Sequence, residues 1–223
     1  MSKPTNPPNH LLQNSRFWIL ALAITSSVLI AGIVQSLLPS GNLQIIRTEQ
    51  IYGFVAIGLI YFALLASPLT IVFPHFRFRE QYIFARRGIG VSGFYFATLH
   101  TLIAFFGQLN GFPGLKFLNG TYHLSLLAGT LGLAILLMMA VTSFDSVIRK
   151  FSYRRWKLAH RTVYIAGVGI ILHFALIGSH FGDNIDPIMI VTYLAIAILL
   201  ILEILRIRIY LKNRHARKLE KNA

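Results

Sequence analysis

The chain contains no cysteine among its 223 residues. Without thiols it can form no disulfide, no cysteine-ligated iron–sulfur cluster and no thiolate-ligated haem. Histidine, which occurs eight times, is therefore the strong metal ligand that this chain can offer.

Charge is also scarce. Only 13% of the residues are charged, 55% are hydrophobic, and the mean hydropathy is +0.64. Such a composition excludes an ordinary soluble domain and is typical of an integral membrane protein. Strand-like alternation is absent, and a lipid-exposed segment must satisfy its own backbone hydrogen bonds, so the sequence predicts an all-α membrane bundle.

Six apolar runs are long enough to cross a bilayer. They are Phe17–Leu38, Ile51–Phe73, Gly88–Phe106, Leu124–Ser143, Leu158–Ile177 and Pro187–Leu205. The sequence therefore predicts a six-helix transmembrane domain over residues 17–206. Residues 1–16, rich in proline and asparagine, are predicted to be a disordered cytoplasmic tail. Residues 207–223 are predicted to be a basic cytoplasmic tail that continues the sixth helix along an anionic membrane surface.

Acidic residues number only seven against 21 lysines and arginines, which gives a net charge of +14. Of the lysines and arginines, only Arg47 and Lys116 lie in the first and third loops, and none lies in the fifth loop. This asymmetry follows the positive-inside rule for six spans with both termini in the cytoplasm. The charge thus indicates topology and contact with lipid rather than binding to nucleic acid, and the chain is predicted to lie in a bacterial inner membrane.

Histidines within the apolar runs are the first candidates for function, because ionisable groups at membrane depth are costly. His160 and His173 lie 13 residues apart on the fifth run, and His100 lies 13 residues after Arg87 on the third. Thirteen residues span roughly 20 Å along a helix. If Arg87 and His160 mark the same membrane surface, His100 and His173 occupy one layer nearer the opposite surface.

The residues alone leave three interpretations of that pair open: haem ligation, another metal or proton-relay site, or a satisfied polar pair between helices. Neighbouring aromatic and small residues favour a large flat cofactor; they are Phe94, Tyr95, Phe96, Phe105, Phe106, Gly167 and Gly169. Thirteen residues make about 3.6 helical turns, so His160 and His173 do not share one face of an ideal helix. A kink, a tilt or ligands approaching from different sides would be needed.

The third run opens with GIGVSG, which matches the spacing of a dinucleotide-binding loop. That fingerprint requires a preceding strand and a βαβ unit, and neither is present here. The small residues Gly88, Gly90, Ser92 and Gly93 are instead expected to allow close helix approach or to make room for a flat ligand.

Two segments, RRGIGVSGFYFATLH and TSFDSVIRKFSYRRWKLAHRTVYIAGVGIILH, resemble the ferric-reductase-like transmembrane domain family. The resemblance is greatest to haem-binding membrane subunits of bacterial methionine-sulfoxide reductase systems. The matching positions are Arg86, Arg87, Gly90, Leu99, His100, Thr142, Ser143, Arg149, Lys150, Trp156, Leu158, His160, Tyr164 and His173.

The resemblance implies a b-type haem in the outward layer, ligated by His100 and His173. His160 would belong to an inner site, where it is a further candidate ligand. Arg86, Arg87, Arg154 and Arg155 would form the side that receives electrons or would hold haem propionates. Wider relatives with two stacked haems carry an inner histidine on the third span, where this chain has arginines. A second haem would then need His75 or an unusual ligand.

The resemblance also implies electron donors and acceptors outside the chain. The donor would be a cytoplasmic flavin reductase or a membrane quinol, with FMN or a quinone as an additional cofactor. The acceptor would be a periplasmic reductase subunit such as a methionine-sulfoxide reductase. The segment Thr48–Gly53 lacks the histidine that those subunits commonly carry there. A ferric or quinone reductase is the alternative within redox chemistry, and a proton-coupled carrier or assembly factor is the non-redox alternative.

Overall fold

The computed structural model describes residues 15–144, 147, 152–177 and 186–222. Within those ranges the chain forms helices and no strand. In chain order they are α1 (Ser15–Leu37), α2 (Asn42–Val72), α3 (Arg79–Ile103), a π-helical turn (Ala104–Gln108), α4 (Phe112–Leu115), α5 (Gly120–Val141), α6 (Tyr153–Arg161), α7 (Val163–Ile177) and α8 (Pro187–Asn222). Nearly all of the predicted disordered tail lies outside the described residues, as do residues 145–146 and 148–151 of the basic fourth loop and most of the fifth loop.

Six helical segments are long and apolar enough to span a membrane, which confirms the predicted fold class. They are Arg16–Leu37, Asn42–Val72, Arg79–Gln108, Gly120–Val141, Arg154–Ile177 and Pro187–Ala216. Span three consists of α3 and the π turn, and span five consists of α6 and α7. Large apolar side chains such as Leu22, Leu127 and Val168 are each 67% exposed, as lipid-facing residues of a bundle should be. The chain is a multi-pass membrane protein.

The helices extend beyond the apolar runs that predict them. Helix α2 begins at Asn42 rather than Ile51, and α3 begins at Arg79 rather than Gly88. A helix satisfies its own backbone in water as well as in lipid, so hydropathy locates the buried length and not the ends. As a result, Glu49 and the pair Arg86–Arg87 lie on helices. Helix α8 runs past residue 206 to Asn222, in agreement with the predicted basic helical extension.

Two groups of helices pack closely. Helices α1, α2 and α3 share an apolar core of Ala23, Tyr52, Ala56 and Phe96. The Tyr52 hydroxyl donates a 2.7 Å hydrogen bond to the backbone oxygen of Ser27, which ties α2 to α1. Helices α5 and α7 form the second closely packed pair, and α3 contacts α5.

Small residues allow these close approaches. A β-carbon added at Gly93 would lie 2.9 Å from Cγ1 of Ile60, and one at Gly88 would lie 3.1 Å from Cδ1 of Ile19. A β-carbon at Gly169 would lie 2.9 Å from the backbone oxygen of Ala128. The GIGVSG segment therefore serves helix packing, which is one of its two predicted roles.

Span five is broken at Thr162. The backbone N–H of this residue bonds to the oxygen of Ala159 at 3.2 Å, and its hydroxyl donates to the same oxygen at 2.7 Å. This tight turn ends α6, and α7 begins at Val163. His160 therefore lies on α6 and His173 on α7.

We expect Gly169→Ala to destabilise the protein by about 1–3 kcal/mol, because the new methyl group would overlap a backbone oxygen that cannot rotate away. Thermal unfolding of the detergent-solubilised protein would measure the loss. Gly167→Ala is the matched control on α7, since its β-carbon would meet only Cδ1 of Leu64 at 3.9 Å. The control should be neutral or more stable by up to about 1 kcal/mol, because alanine favours helix. Equal melting temperatures for the two variants would contradict the proposed close contact.

Candidate site between spans three and five

Helices α3 and α7 bring His100 and His173 together. The centroids of the two imidazole rings lie 6.0 Å apart, and the ring planes are nearly perpendicular at 84°. Both residues are partly buried. The structure thus places in one layer the two histidines that were predicted to share it.

His100 is held by α2. Its Nδ1 lies 3.1 Å from the backbone oxygen of Glu49 and 3.0 Å from the Oε1 atom of the same residue. Gln108, in the π turn, donates from Nε2 to the other carboxylate oxygen, Oε2, at 2.8 Å. A β-carbon at Gly53 would lie 3.0 Å from Nδ1 of His100. One turn of α2 therefore supplies both a hydrogen-bond acceptor and the space for the ring.

His173 is held by α5 in the same manner. Its Nδ1 lies 3.0 Å from the backbone oxygen of Ser125 and 3.0 Å from the Ser125 hydroxyl. That hydroxyl also donates to the backbone oxygen of His173 at 3.0 Å. A β-carbon at Gly129 would lie 2.8 Å from the Nδ1 atom of His173. The acceptor residue and the glycine are four positions apart here, as they are for Glu49 and Gly53, so each pair lies on one helix face.

These contacts determine the tautomer of both rings. A backbone oxygen can only accept a hydrogen bond, so Nδ1 of each neutral imidazole carries the proton. The Nε2 atom then holds the lone pair that can bind a metal, and a hydrogen bond from the other ring nitrogen is what orients such ligands. Both histidines can therefore bind a metal through the lone pair of Nε2.

His160 has different surroundings. Its Nε2 lies 3.1 Å from Oγ1 of Thr142, whose own hydroxyl donates to the backbone oxygen of Met138 at 2.8 Å. Because the threonine proton is already used, Nε2 of His160 is the donor in this contact. The Trp156 ring packs against the imidazole at a centroid distance of 4.3 Å, with the two ring planes tilted by 34°. The indole Nε1 of Trp156 donates to the backbone oxygen of Thr142 at 3.2 Å.

The predicted inner-layer arginines divide into two sets. Arg86 donates to the backbone oxygen of Ala63 and to the Ser67 hydroxyl, at 3.0 and 2.9 Å, and Arg87 donates to the backbone oxygen of Ser143 at 3.3 Å. Both lie near enough for their charges to act on His160.

Arg154 and Arg155 form the second set, as exposed residues in the first turn of α6. Arg154 lines a surface cavity of about 390 Å³ with Lys157, Leu158 and Arg161. In the described ranges, no group of three or more histidine, aspartate or glutamate side chains is placed to hold a metal ion.

The family profile described as ferric reductase like transmembrane component matches residues 44–171, which is more than half of the chain. The chain belongs to this family. The match includes His100 and His160 and ends two residues before His173.

The individual relatives include a magnetosome protein and heme-binding subunits of protein-methionine-sulfoxide reductases. Magnetosome protein MamZ of Paramagnetospirillum magneticum is 32% identical over 106 residues, which are 46% of this chain and 16% of MamZ. The protein-methionine-sulfoxide reductase heme-binding subunit MsrQ of Klebsiella pneumoniae is 33% identical over 132 residues, 56% of this chain and 60% of that protein. MsrQ of Agrobacterium fabrum is 27% identical over 151 residues, 66% of this chain and 65% of that protein. The chain thus spans less than two thirds of the length of each of these relatives.

In this ferric-reductase-like chain, the spacing and the hydrogen bonds of His100 and His173 fit the binding of a haem. Imidazole nitrogens bind first-row metals at about 2.0–2.1 Å, so two rings on one metal have their centroids roughly 6 Å apart. The centroids of His100 and His173 are 6.0 Å apart, and both Nδ1 atoms are occupied by acceptors. Two neutral imidazoles are also a ligand set that haem iron accepts. His100 and His173 are the residues that would hold such a group.

Sequence reasoning missed the residues that support the two rings. Glu49 lies before the apolar run that begins at Ile51, so the hydropathy pattern places it in the first loop. Ser125, Gly53 and Gly129 carry no signal of their own in an apolar helix. The scarcity of acidic residues is a signal that could have identified Glu49, since it is the only acidic residue in the first 79 positions. A carboxylate so close to a membrane span needs a partner.

We expect Gly129→Ala and Gly53→Ala to lower severalfold the amount of haem that co-purifies with the protein. The added methyl groups would displace the rings of His173 and His100 from their Nδ1 acceptors. Absorbance in the Soret region per unit of protein would measure the loss.

Gly120→Ala on α5 and Gly58→Ala on α2 are the controls, because their β-carbons would have no neighbour within 4 Å. Wild-type haem content in the first two variants, with the same thermal stability as the controls, would contradict the assigned role of these glycines.

Proposed function

We propose that this chain is a membrane cytochrome that carries electrons across the bilayer through a b-type haem bound by His100 and His173. The observation that carries this proposal is the paired geometry of two imidazoles, 6.0 Å apart, whose Nδ1 atoms are both engaged by neighbouring helices. The chain has no cysteine for covalent attachment of a c-type haem. The name of the MsrQ relatives, heme-binding subunits, supports the same cofactor.

The haem would supply one-electron redox chemistry, and the protein would fix its ligands, depth and access. His100 and His173 bind through Nε2. Glu49 and Ser125 orient them through Nδ1 and so prevent either ring from turning away from the metal.

The distribution of basic residues supports an orientation with both termini in the cytoplasm. In that orientation His100 and His173 lie in the outward half, and His160, Arg86 and Arg87 lie in the inward half. His160 and His173 are separated by 13 residues, or roughly 20 Å of helix. A single haem would therefore leave the inner half to be bridged by a flavin or a quinol that approaches the basic inner surface.

The inner layer would be the side that receives electrons. Arg154, Lys157 and Arg161 line one surface cavity there, and a cluster of positive charges suits an anionic donor, an FMN phosphate or lipid head groups. His160 is proposed as a part of this layer, with its ring fixed between Trp156 and Thr142. The acceptor outside the membrane would be a periplasmic reductase subunit, by analogy with the MsrQ relatives.

We expect a dithionite-reduced minus oxidised spectrum of the purified protein to show a low-spin b-type haem. His100→Ala and His173→Ala should each abolish this spectrum, because one imidazole cannot replace both axial ligands. His123→Ala is the matched control, since within the described ranges the hydrogen bond of this exposed side chain is to the backbone oxygen of Asn119, at 2.9 Å.

Haem stoichiometry per chain, by pyridine haemochromogen, separates one haem from two. A colourless protein from haem-replete cells would reject the cytochrome and favour the non-redox alternative of a proton-coupled carrier or assembly factor. Retention of the spectrum in both histidine variants would reject the ligand assignment.

A further inference from the structure

Glu49 has an unusual position for a carboxylate. Its side chain is only 15% exposed, and both of its oxygens are used: Oε1 faces Nδ1 of His100 at 3.0 Å, and Oε2 accepts from Gln108 at 2.8 Å. The nearby Arg47 instead donates to Gln50 at 3.0 Å. Within the described ranges no lysine or arginine pairs with Glu49. Its two side-chain partners are the imidazole of His100, at Oε1, and the neutral amide of Gln108, at Oε2.

The π turn provides the amide. Residues Ala104–Gln108 form a single π-helical turn directly after the helix that carries His100. Such turns occur frequently at functional sites. The turn packs against α2, since a β-carbon at Gly107 would lie 2.6 Å from Cγ2 of Ile45. It thereby places Gln108 next to Glu49, and the carboxylate is fixed at both ends.

The two histidines consequently differ in the charge behind them. Nδ1 of His100 faces a carboxylate, whereas Nδ1 of His173 faces the backbone oxygen and hydroxyl of Ser125, which are both neutral. A hydrogen bond to a carboxylate is charge-assisted and makes the imidazole a more basic ligand. Negative charge near an iron centre also favours the state of the iron with more positive charge.

We propose that Glu49 is a positioning residue that orients His100 and lowers the reduction potential of the haem by stabilising its ferric state. This inference rests on the proposed function. Gln108 weakens this effect. Its amide donates a hydrogen bond to the Glu49 carboxylate, which makes the carboxylate a weaker acceptor for Nδ1 of His100.

An anaerobic redox titration of the purified full-length protein tests the proposal, with haem content measured on the same samples. Glu49→Gln keeps the size and an acceptor oxygen but removes the charge. We expect it to bind haem and to shift the ferric–ferrous equilibrium about tenfold towards ferrous, a rise of about 59 mV for one electron. Glu203→Gln is the matched control, because that carboxylate pairs with Arg206 at 2.7 Å on α8 and should leave the potential unchanged.

Gln108→Ala provides a second measurement with the opposite sign. The charge remains and the competing donor is lost, so the potential should fall below that of the wild-type protein. A merely structural loosening of the site would not move the two variants in opposite directions.

An unchanged potential in haem-loaded Glu49→Gln would overturn the inference while leaving the cytochrome intact. If Glu49→Gln retains no haem, Gln108→Ala decides, and a potential that is unchanged or raised in that variant overturns the inference. Absence of haem from the wild-type protein would instead reject the proposed function itself, so the two failures are distinguishable.

Discussion

The imidazole rings of His100 and His173 each donate a hydrogen bond from Nδ1, and a neighbouring helix supplies the acceptor in each case. A buried imidazole without a partner would lose the free energy of its hydration, so a neighbouring helix must supply an acceptor within about 3 Å. Such an acceptor can come that close only where the helix has no side chain in the way. Gly53 and Gly129 meet this condition, and the close packing of α2 with α3 and of α5 with α7 follows from it.

The two helix pairs solve this problem with one local pattern and different chemistry. In both, an acceptor residue precedes a glycine by four positions, but the acceptor is a carboxylate in α2 and a hydroxyl-bearing residue in α5. Equivalent geometry with unequal charge makes His100 and His173 electronically different as donors to any metal that they would hold. Ligand hydrogen bonding is one of the means by which a protein adjusts a haem potential, and it needs no change in the ligands themselves.

Membership of the ferric-reductase-like family explains the helical bundle of this chain, but it does not identify the proteins with which the chain exchanges electrons. MamZ and MsrQ carry different names and align with different fractions of their own length. One transmembrane fold can host different functions, so the family establishes the architecture of the chain and not its partners. In this chain His160 contacts Trp156 and Thr142, whereas His100 and His173 contact Glu49 and Ser125, so the two groups of histidines have different surroundings.

The sequence by itself determined that this is a six-span membrane protein, which residues are basic and where they lie, and that histidine is the available metal ligand. These properties follow from composition and period, since bilayer thickness and backbone hydrogen bonding act on any chain of this kind. Helix pairing, the break at Thr162, the π turn that ends at Gln108 and the partnership of Glu49 with His100 were decided only in the tertiary structure. They depend on which faces of distant segments meet, and His100 and Glu49 are 51 positions apart. No local pattern specifies such a contact, because its energy exists only after the two helices have packed.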